Sequence, residues 1–226
     1  MYTLIIGNKM YSSWSLRGWL VTRLSGAQFR ESPVSLNGLA ADPAARGFSP
    51  TGLVPCLVDG EVVVWDSLAI AEYLAERHPG MWPADPVARA FARSMCAEMH
   101  SGFGALRSEM TMCVRERVDV RPWSTALVRN IARVEALWSE ARRRFGGGGE
   151  FLFGAFGIAD CFYAPVAFRF RTYGVEPAGA ARDYLAALLA HPFVREWEEA
   201  ALRETEIVEE DEPRVVYRAK LAGRAA

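Results

Sequence analysis

The sequence predicts an α/β domain of order βαβ-α-ββα over residues 1–80, joined by a linker at 81–84 to an all-α domain over 85–226. Three observations carry this reading. Strand-like and helix-like patterns alternate through the first part of the chain, an Asp59-Gly60 pair separates two short apolar runs, and strand signals nearly vanish after Asp85. With 226 residues there is room for one large domain or two small ones, since domains usually run to roughly 100 to 200 residues. Hydrophobic residues at 51% and charged residues at 23% are ordinary globular proportions and argue against a disordered or fibrous chain.

Tyr2 to Ile6 reads as the first strand. Ser12 or Ser13 caps a helical run through Leu16, Trp19, Leu20 and Leu24 that stops at Gly26. Phe29 to Leu36 reads as a second strand and Leu39 to Phe48 as at most a short helix. Cys56 to Val58 and Glu61 to Val64 flank Asp59-Gly60, the dipeptide favoured in a two-residue type I′ hairpin turn, where both positions take positive φ. Asp66-Ser67 then caps a helix from Leu68 to Arg77, ended by Pro79-Gly80. Beyond the linker, helices are expected over Val87–Val114, Trp123–Phe145, Ile158–Tyr173, Ala180–Leu189 and Phe193–Arg203, with a glycine loop at 146–149. The tail after Thr205 has no clear periodicity.

A formal net charge of -1 points to neither nucleic acid nor an acidic membrane surface as a partner. Met1 leads directly into the first strand, and no apolar run approaches the roughly 20 residues of a membrane span, so a cytoplasmic protein is expected. Cys56, Cys96, Cys113 and Cys161 are widely spaced, with neither a C-x-x-C pair nor a nearby histidine; they read as inert buried thiols, and no metal site is expected.

Two local features carry chemistry. Pro55 opens a strand that should be internal, where a residue without a backbone N–H is normally excluded. Either it is a trans proline ending a loop, or a cis Val54-Pro55 bond turns the chain and leaves the Val54 amide and carbonyl free to pair with an extended peptide. Asp66-Ser67 is either an ordinary helix cap or a binding element. A helix N-terminus offers free N–H groups and a positive dipole end to a carboxylate, while Asp66 pairs with an amine. An α-amino acid group presents both charges.

These residues carry a resemblance. Gly52-Leu53-Val54-Pro55-Cys56-Leu57, the Asp59-Gly60 hairpin and Asp66-Ser67-Leu68-Ala69-Ile70-Ala71-Glu72-Tyr73-Leu74 resemble the glutathione-binding half of the glutathione S-transferase family. Gly157-Ile158-Ala159-Asp160 followed by Ala164-Pro165 is similar to that family's N-capping motif in its all-helical domain, with Gly157 standing where a Ser or Thr is usual. The resemblance implies a thioredoxin-like first domain and glutathione as co-substrate. It also implies a small electrophile bound between the domains, a role in detoxification and a homodimer. Carried over residue by residue, the glutathione contacts fall on Val54, Pro55, Asp66 and Ser67.

Tyr11-Ser12-Ser13-Trp14-Ser15-Leu16-Arg17 is similar to the serine motif of the zeta class, which implies Ser12 as the residue that activates the thiol, with Ser13 second. Trp14 departs from that motif's cysteine and Leu16 from its tryptophan. Tyr11 is the alternative, because other classes use a tyrosine near the end of the first strand. No cysteine occurs in this stretch, which disfavours disulfide exchange and favours a hydroxyl donating to a bound thiolate. A free thiol of pKa about 8.5 is about 3% ionised at pH 7, and lowering that value by about two units takes roughly 2.7 kcal/mol. One hydrogen bond to a charged group contributes about 1.5–3 kcal/mol and a helix N-terminus about 0.3–1 more, so no general base is required. Tyr11, Trp14, Arg17, Phe103, Arg169 and Arg171 are candidates for the substrate pocket, with Trp123, Met110 and Met112 as either pocket wall or core. Conjugation is the reading this favours; a maleylacetoacetate-type cis–trans isomerase and a non-catalytic glutathione-binding regulator are the alternatives.

Overall fold

A computed structural model describes residues 1–41 and 47–224. Four strands, β1 (Tyr2–Ile6), β2 (Phe29–Pro33), β3 (Cys56–Asp59) and β4 (Val62–Trp65), form one sheet in the order β2-β1-β3-β4. β1 runs parallel to β2, with Tyr2 opposite Phe29, and antiparallel to β3, with Leu4 opposite Leu57. The parallel pair requires a crossover, which α1 (Ser13–Leu24) supplies. Leu4, Ile6 and Leu57 from the sheet and Leu16, Trp19 and Leu20 from α1 are fully buried. The fold is thioredoxin-like, followed by an all-α region.

The hairpin forms with a different turn. Asp59 pairs with Val62, so the two-residue loop is Gly60-Glu61, and only its first position has positive φ, the pattern of a type II′ turn. β2 stops three residues earlier than expected because Ser35 starts a helix: its Oγ accepts the Gly38 N–H at 3.2 Å, and α2 (Leu36–Ala41) follows. The short helix expected over Leu39–Phe48 thus begins earlier, and residues 42–46 lie outside the described residues. α3 (Ser67–Arg77) is capped by Asp66, as its sequence predicts.

The helical part contains α4 (Pro86–Ser101), α5 (Gly104–Glu109), α6 (Thr125–Phe145), α7 (Ile158–Tyr173), α8 (Gly179–Ala190), α9 (Pro192–Leu202) and α10 (Pro213–Arg224), with a 3₁₀ turn at Glu209–Asp211. The single helix expected over Val87–Val114 is broken. Its first part ends at Gly102, where a Cβ would stand 2.7 Å from the Glu98 carbonyl, and Phe103 adopts a left-handed φ of 59°. Residues beyond Glu109 then run irregularly to Ser124, and the carbonyls of Met110, Cys113 and Val114 accept from side chains where a helix was expected. The tail is likewise more ordered than its pattern indicated. α1 packs on α3 within the first domain and on α7 and α9 of the second, so its N-terminus lies where the two layers meet.

Candidate functional site

A cavity of about 690 Å³ opens at that meeting point, and the separately predicted motifs converge on it. Tyr11, Ser12, Ser13 and Trp14 line it from the start of α1, Val54 and Pro55 from the loop before β3, and Asp66 and Ser67 from the start of α3. The Val54-Pro55 bond is cis, and among the described residues the Val54 amide and carbonyl make no hydrogen bond. Gly18 lets α1 lie against this loop: a Cβ there would stand 2.7 Å from Pro55 Cγ. Ser67 is 1% exposed and its Oγ has no hydrogen-bond partner, an orphaned donor that a ligand carboxylate at the α3 N-terminus would satisfy. Asp66 spends Oδ1 on the Leu68 N–H at 2.7 Å, while Oδ2 accepts from His100 Nε2 at 3.2 Å. Burial, with the help of Arg17 and Arg107, lowers the His100 pKa against the pull of Asp66, so the imidazole is neutral at pH 7 and donates from Nε2.

The two serines play different parts. Ser12, 6% exposed, is the N-cap of α1; its Oγ accepts the Ser15 N–H at 3.2 Å and donates to Ser15 Oγ at 2.8 Å. Ser15 is structural, since its Oγ also accepts the Gly7 N–H at 2.9 Å and ties the loop to β1. Ser13 is half-buried and its Oγ accepts from Arg169 Nη2 at 3.2 Å, which leaves its own proton unassigned. Tyr11 lines the cavity, with its hydroxyl turned to the tail. Its hydroxyl donates to Glu212, and burial followed by that carboxylate pushes its pKa well above the usual tyrosine value.

Arginines dominate the helical side of the cavity. Arg169, 6% exposed, donates Nε to the Met110 carbonyl at 2.6 Å, an acceptor exposed by the break after α5. Arg107 donates to the carbonyls of Met99 and His100 at the end of α4. The Trp14 ring has the guanidinium carbons of both Arg17 and Arg107 at 4.6 Å from its centroid. The tail completes the cavity: Asp211 lines it, Glu204 accepts the Lys9 and Met10 N–H groups at 2.8 and 3.0 Å, and Glu206 accepts Asn8 Nδ2 at 2.9 Å. These carboxylates brace the loop that leads into α1.

Comparison with known proteins agrees with this arrangement. The glutathione S-transferase N-terminal domain profile matches residues 11–77, and the C-terminal domain profile matches residues 116–200. A zeta-class glutathione S-transferase of Euphorbia esula is 31% identical over 162 residues, covering 68% of this chain and 70% of that one. The chain belongs to the glutathione S-transferase family. A stringent starvation protein A homolog of Pasteurella multocida is 28% identical over 161 residues, 66% of either chain. Among solved structures, a glutathione transferase homolog from Burkholderia with bound glutathione superposes with a TM-score of 0.66 at 24% identity, covering 90% of this chain and 98% of that one.

Several expected pocket residues lie elsewhere. Arg171 pairs with Glu198 at 2.6 Å and donates to the Val114 carbonyl, because on α7 it is two residues from Arg169 and faces another way. Phe103 is buried in the core at its left-handed corner, and neither it nor Arg17 is among the cavity-lining residues. Met112 lines the cavity; Met110 is buried in the core, and Trp123 is half-buried against it. Arg107, Thr111 and Asp211 line it without having been foreseen. An acidic run in the tail, Glu204 to Glu212, was the one available signal for the last of these.

The helical capping motif survives in half. Gly157 has no side chain to offer, but its N–H donates to Asp160 Oδ2 at 2.9 Å, and Asp160 Oδ1 accepts the Leu152 N–H at 3.2 Å. A Cβ at position 157 would meet the Met81 carbonyl at 3.3 Å, so the linker packs where a larger cap would stand. The four cysteines are buried and unpaired, and burial raises the pKa of each. Among the described residues, no helix is long and apolar enough to cross a membrane, and no three His, Cys, Asp or Glu side chains converge as a metal site would require.

Proposed function

We propose that the protein is a glutathione transferase that ionises the glutathione thiol at the N-terminus of α1 and conjugates the sulfur to a small electrophile. One observation carries the reading: the start of α1, the cis Val54-Pro55 loop and the Asp66-Ser67 helix start line a single cavity. The fit to glutathione follows from the groups left over. Val54 offers an unpaired backbone amide and carbonyl to the cysteinyl unit, Ser67 offers its orphaned hydroxyl and helix N–H groups to the γ-glutamyl carboxylate, and Asp66 faces the amine with the lone pairs that the Leu68 N–H and His100 do not take.

Of the two serines, Ser13 is the better donor to the sulfur. Ser12 is spent on the cap and on Ser15, whereas Arg169 occupies an acceptor lone pair of Ser13 and leaves its O–H free. This reverses the order expected from the motif. Arg169 also brings positive charge toward the thiolate. The thiol loses its proton to solvent, the thiolate forms a C–S bond to the electrophile, and the leaving group departs with the bonding pair. Four unpaired cysteines accord with the reducing cytoplasm. The exposed apolar residues Val62, Val63 and Trp65 on edge strand β4 accord with a homodimer that covers them.

The test is the ultraviolet absorbance of bound glutathione thiolate followed against pH, together with turnover of a panel of electrophiles. A bound-thiol pKa well below 8.5 with product formation is expected. Binding with an unshifted thiol and no turnover would make the protein a glutathione-binding regulator. Glutathione recovered unchanged beside an isomerised maleyl-type substrate would make it an isomerase.

A further inference from the structure

The tail turns a row of carboxylates toward the rest of the protein, and all but one of them are engaged. Glu204 accepts the Lys9 and Met10 N–H groups, Glu206 accepts from Asn8, Ser35 and Asn37, and Glu212 accepts from the Tyr11 hydroxyl. Asp211 is the exception. It lines the cavity from the 3₁₀ turn, and among the described residues its carboxylate makes no hydrogen bond or ion pair. Asp66, the other acidic residue of the lining, is held by His100 and by the α3 cap.

Two neighbours fix where in the cavity Asp211 stands. Glu212, the next residue, holds Tyr11, which lies two positions before Ser13. Arg169 on α7 is close enough for its charge to act on Asp211, and its Nη2 donates to Ser13 Oγ at 3.2 Å. The free carboxylate therefore shares one end of the cavity with the serine assigned to the sulfur.

Burial raises the Asp211 pKa above its ordinary 3.8; Arg169 opposes this, and Glu210 and Glu212 on the same turn add to it. Arg107 on α5 also lines the cavity, while Arg115 is engaged on the Tyr11 hydroxyl. A thiolate formed beside Ser13 brings a second negative charge before Arg169. Two acids that face each other across a confined site titrate as a pair and tend to keep one proton between them.

We propose that Asp211 takes up a proton as the glutathione thiolate forms and delivers it to the electrophile, as the general acid of an addition reaction. The inference rests on the transferase reading and adds the proton donor that it lacks. The balance closes within the site. The thiol proton goes to solvent and Asp211 takes one from solvent, with no net release. The sulfur forms a C–S bond to the β-carbon of an α,β-unsaturated ketone, and the π pair moves through the α-carbon onto the carbonyl oxygen. Asp211 then protonates the α-carbon as the carbonyl re-forms, and its carboxylate is restored. Substitution on a haloaromatic ring needs no such donor, because the halide leaves with the bonding pair.

The test counts protons and thiolate together in the full chain at pH 7. Glutathione is titrated by calorimetry in buffers of different ionisation enthalpy, thiolate is read by ultraviolet absorbance, and S-methylglutathione gives the baseline without a thiol. The wild type is expected to release less than about half a proton per thiolate formed, and Asp211→Asn, which keeps the size of the side chain, close to one. Turnover is followed with benzylideneacetone, an addition substrate, and chlorodinitrobenzene, a substitution substrate. Asp211→Asn should slow the addition about tenfold or more and change the substitution by less than about threefold. In the wild type the addition alone should decline at high pH, where the acid is lost, and that limb should be absent in Asp211→Asn.

One proton released per thiolate by the wild type overturns the proposal, as do equal losses on both electrophiles in Asp211→Asn, or substitution by the wild type without any addition. In each of these cases the transferase reading stands. Glutathione bound with no thiolate formed removes the transferase reading itself, and the proposal falls with it.

Discussion

Removing the Ser13 hydroxyl and removing the Ser12 hydroxyl should have opposite signatures. Ser13→Ala deletes a donor that the fold does not use, since among the described residues its Oγ bonds to Arg169 alone, as an acceptor. A hydrogen bond to a charged group contributes about 1.5–3 kcal/mol, equivalent to about one to two pKa units on the bound thiol. If the wild type holds the thiol near pKa 6.5, about three-quarters is thiolate at pH 7; raised by one to two units, about 3–25% is, and turnover falls about 3- to 25-fold. The loss should disappear as pH rises above the shifted pKa, because the sulfur then ionises without help. Ser12→Ala instead removes the α1 cap and the link to Ser15, costing about 0.5–2 kcal/mol of stability. Thiolate absorbance against pH and thermal melting separate the two effects. A Ser13→Ala shift in bound-thiol pKa of less than a few tenths of a unit, with a full unit for Ser12→Ala, would refute the assignment and restore Ser12 as the activator.

Further outcomes follow from the same geometry. Ser67→Ala should weaken glutathione binding by about 10- to 100-fold by calorimetry while leaving the melting temperature unchanged, since its Oγ has no partner in the protein; unchanged affinity would remove Ser67 from the site. Gly18→Ala should destabilise the chain by about 1–3 kcal/mol, because its methyl meets the Pro55 ring at 2.7 Å, and should loosen glutathione in parallel; a variant as stable as wild type would mean that α1 does not brace the loop. Asp160 is raised by burial from 3.8 to about 6, so between these values the folded chain binds more protons than the unfolded one, and this group's contribution to stability falls as pH rises through that window. Asp160→Asn should flatten that slope in denaturant titrations run across the window, while losing an acceptor for the Gly157 or Leu152 N–H; an unchanged slope would show that Asp160 titrates normally.

Sequence by itself determined the parts whose energetics are local. β1, the hairpin strands and the Asp66 cap were legible because alternation, turn residues and capping act over a few positions. The spacing of Pro55 to Asp66-Ser67 and the Ser12-Ser13 start of α1 were legible for the same reason, and with them the family. Even so, local rules mistook the turn: Asp59-Gly60 reads as type I′, but the Asp59–Val62 pairing moves the loop by one residue to Gly60-Glu61. Tertiary structure decided everything that depends on which groups meet across long separations. The tail showed no periodicity, yet Glu204, Glu206 and Glu212 reach the loop of residues 8–11 at separations near 200 positions, and Glu212 engages the Tyr11 hydroxyl. Arg169 and Arg171 are indistinguishable as letters; helix geometry turns one toward Ser13 and the other toward Glu198. A periodic pattern identifies which face of an element is buried. It does not say what that face is buried against, and the choice between Ser12 and Ser13 depends on an arginine that folding brings from 156 positions away.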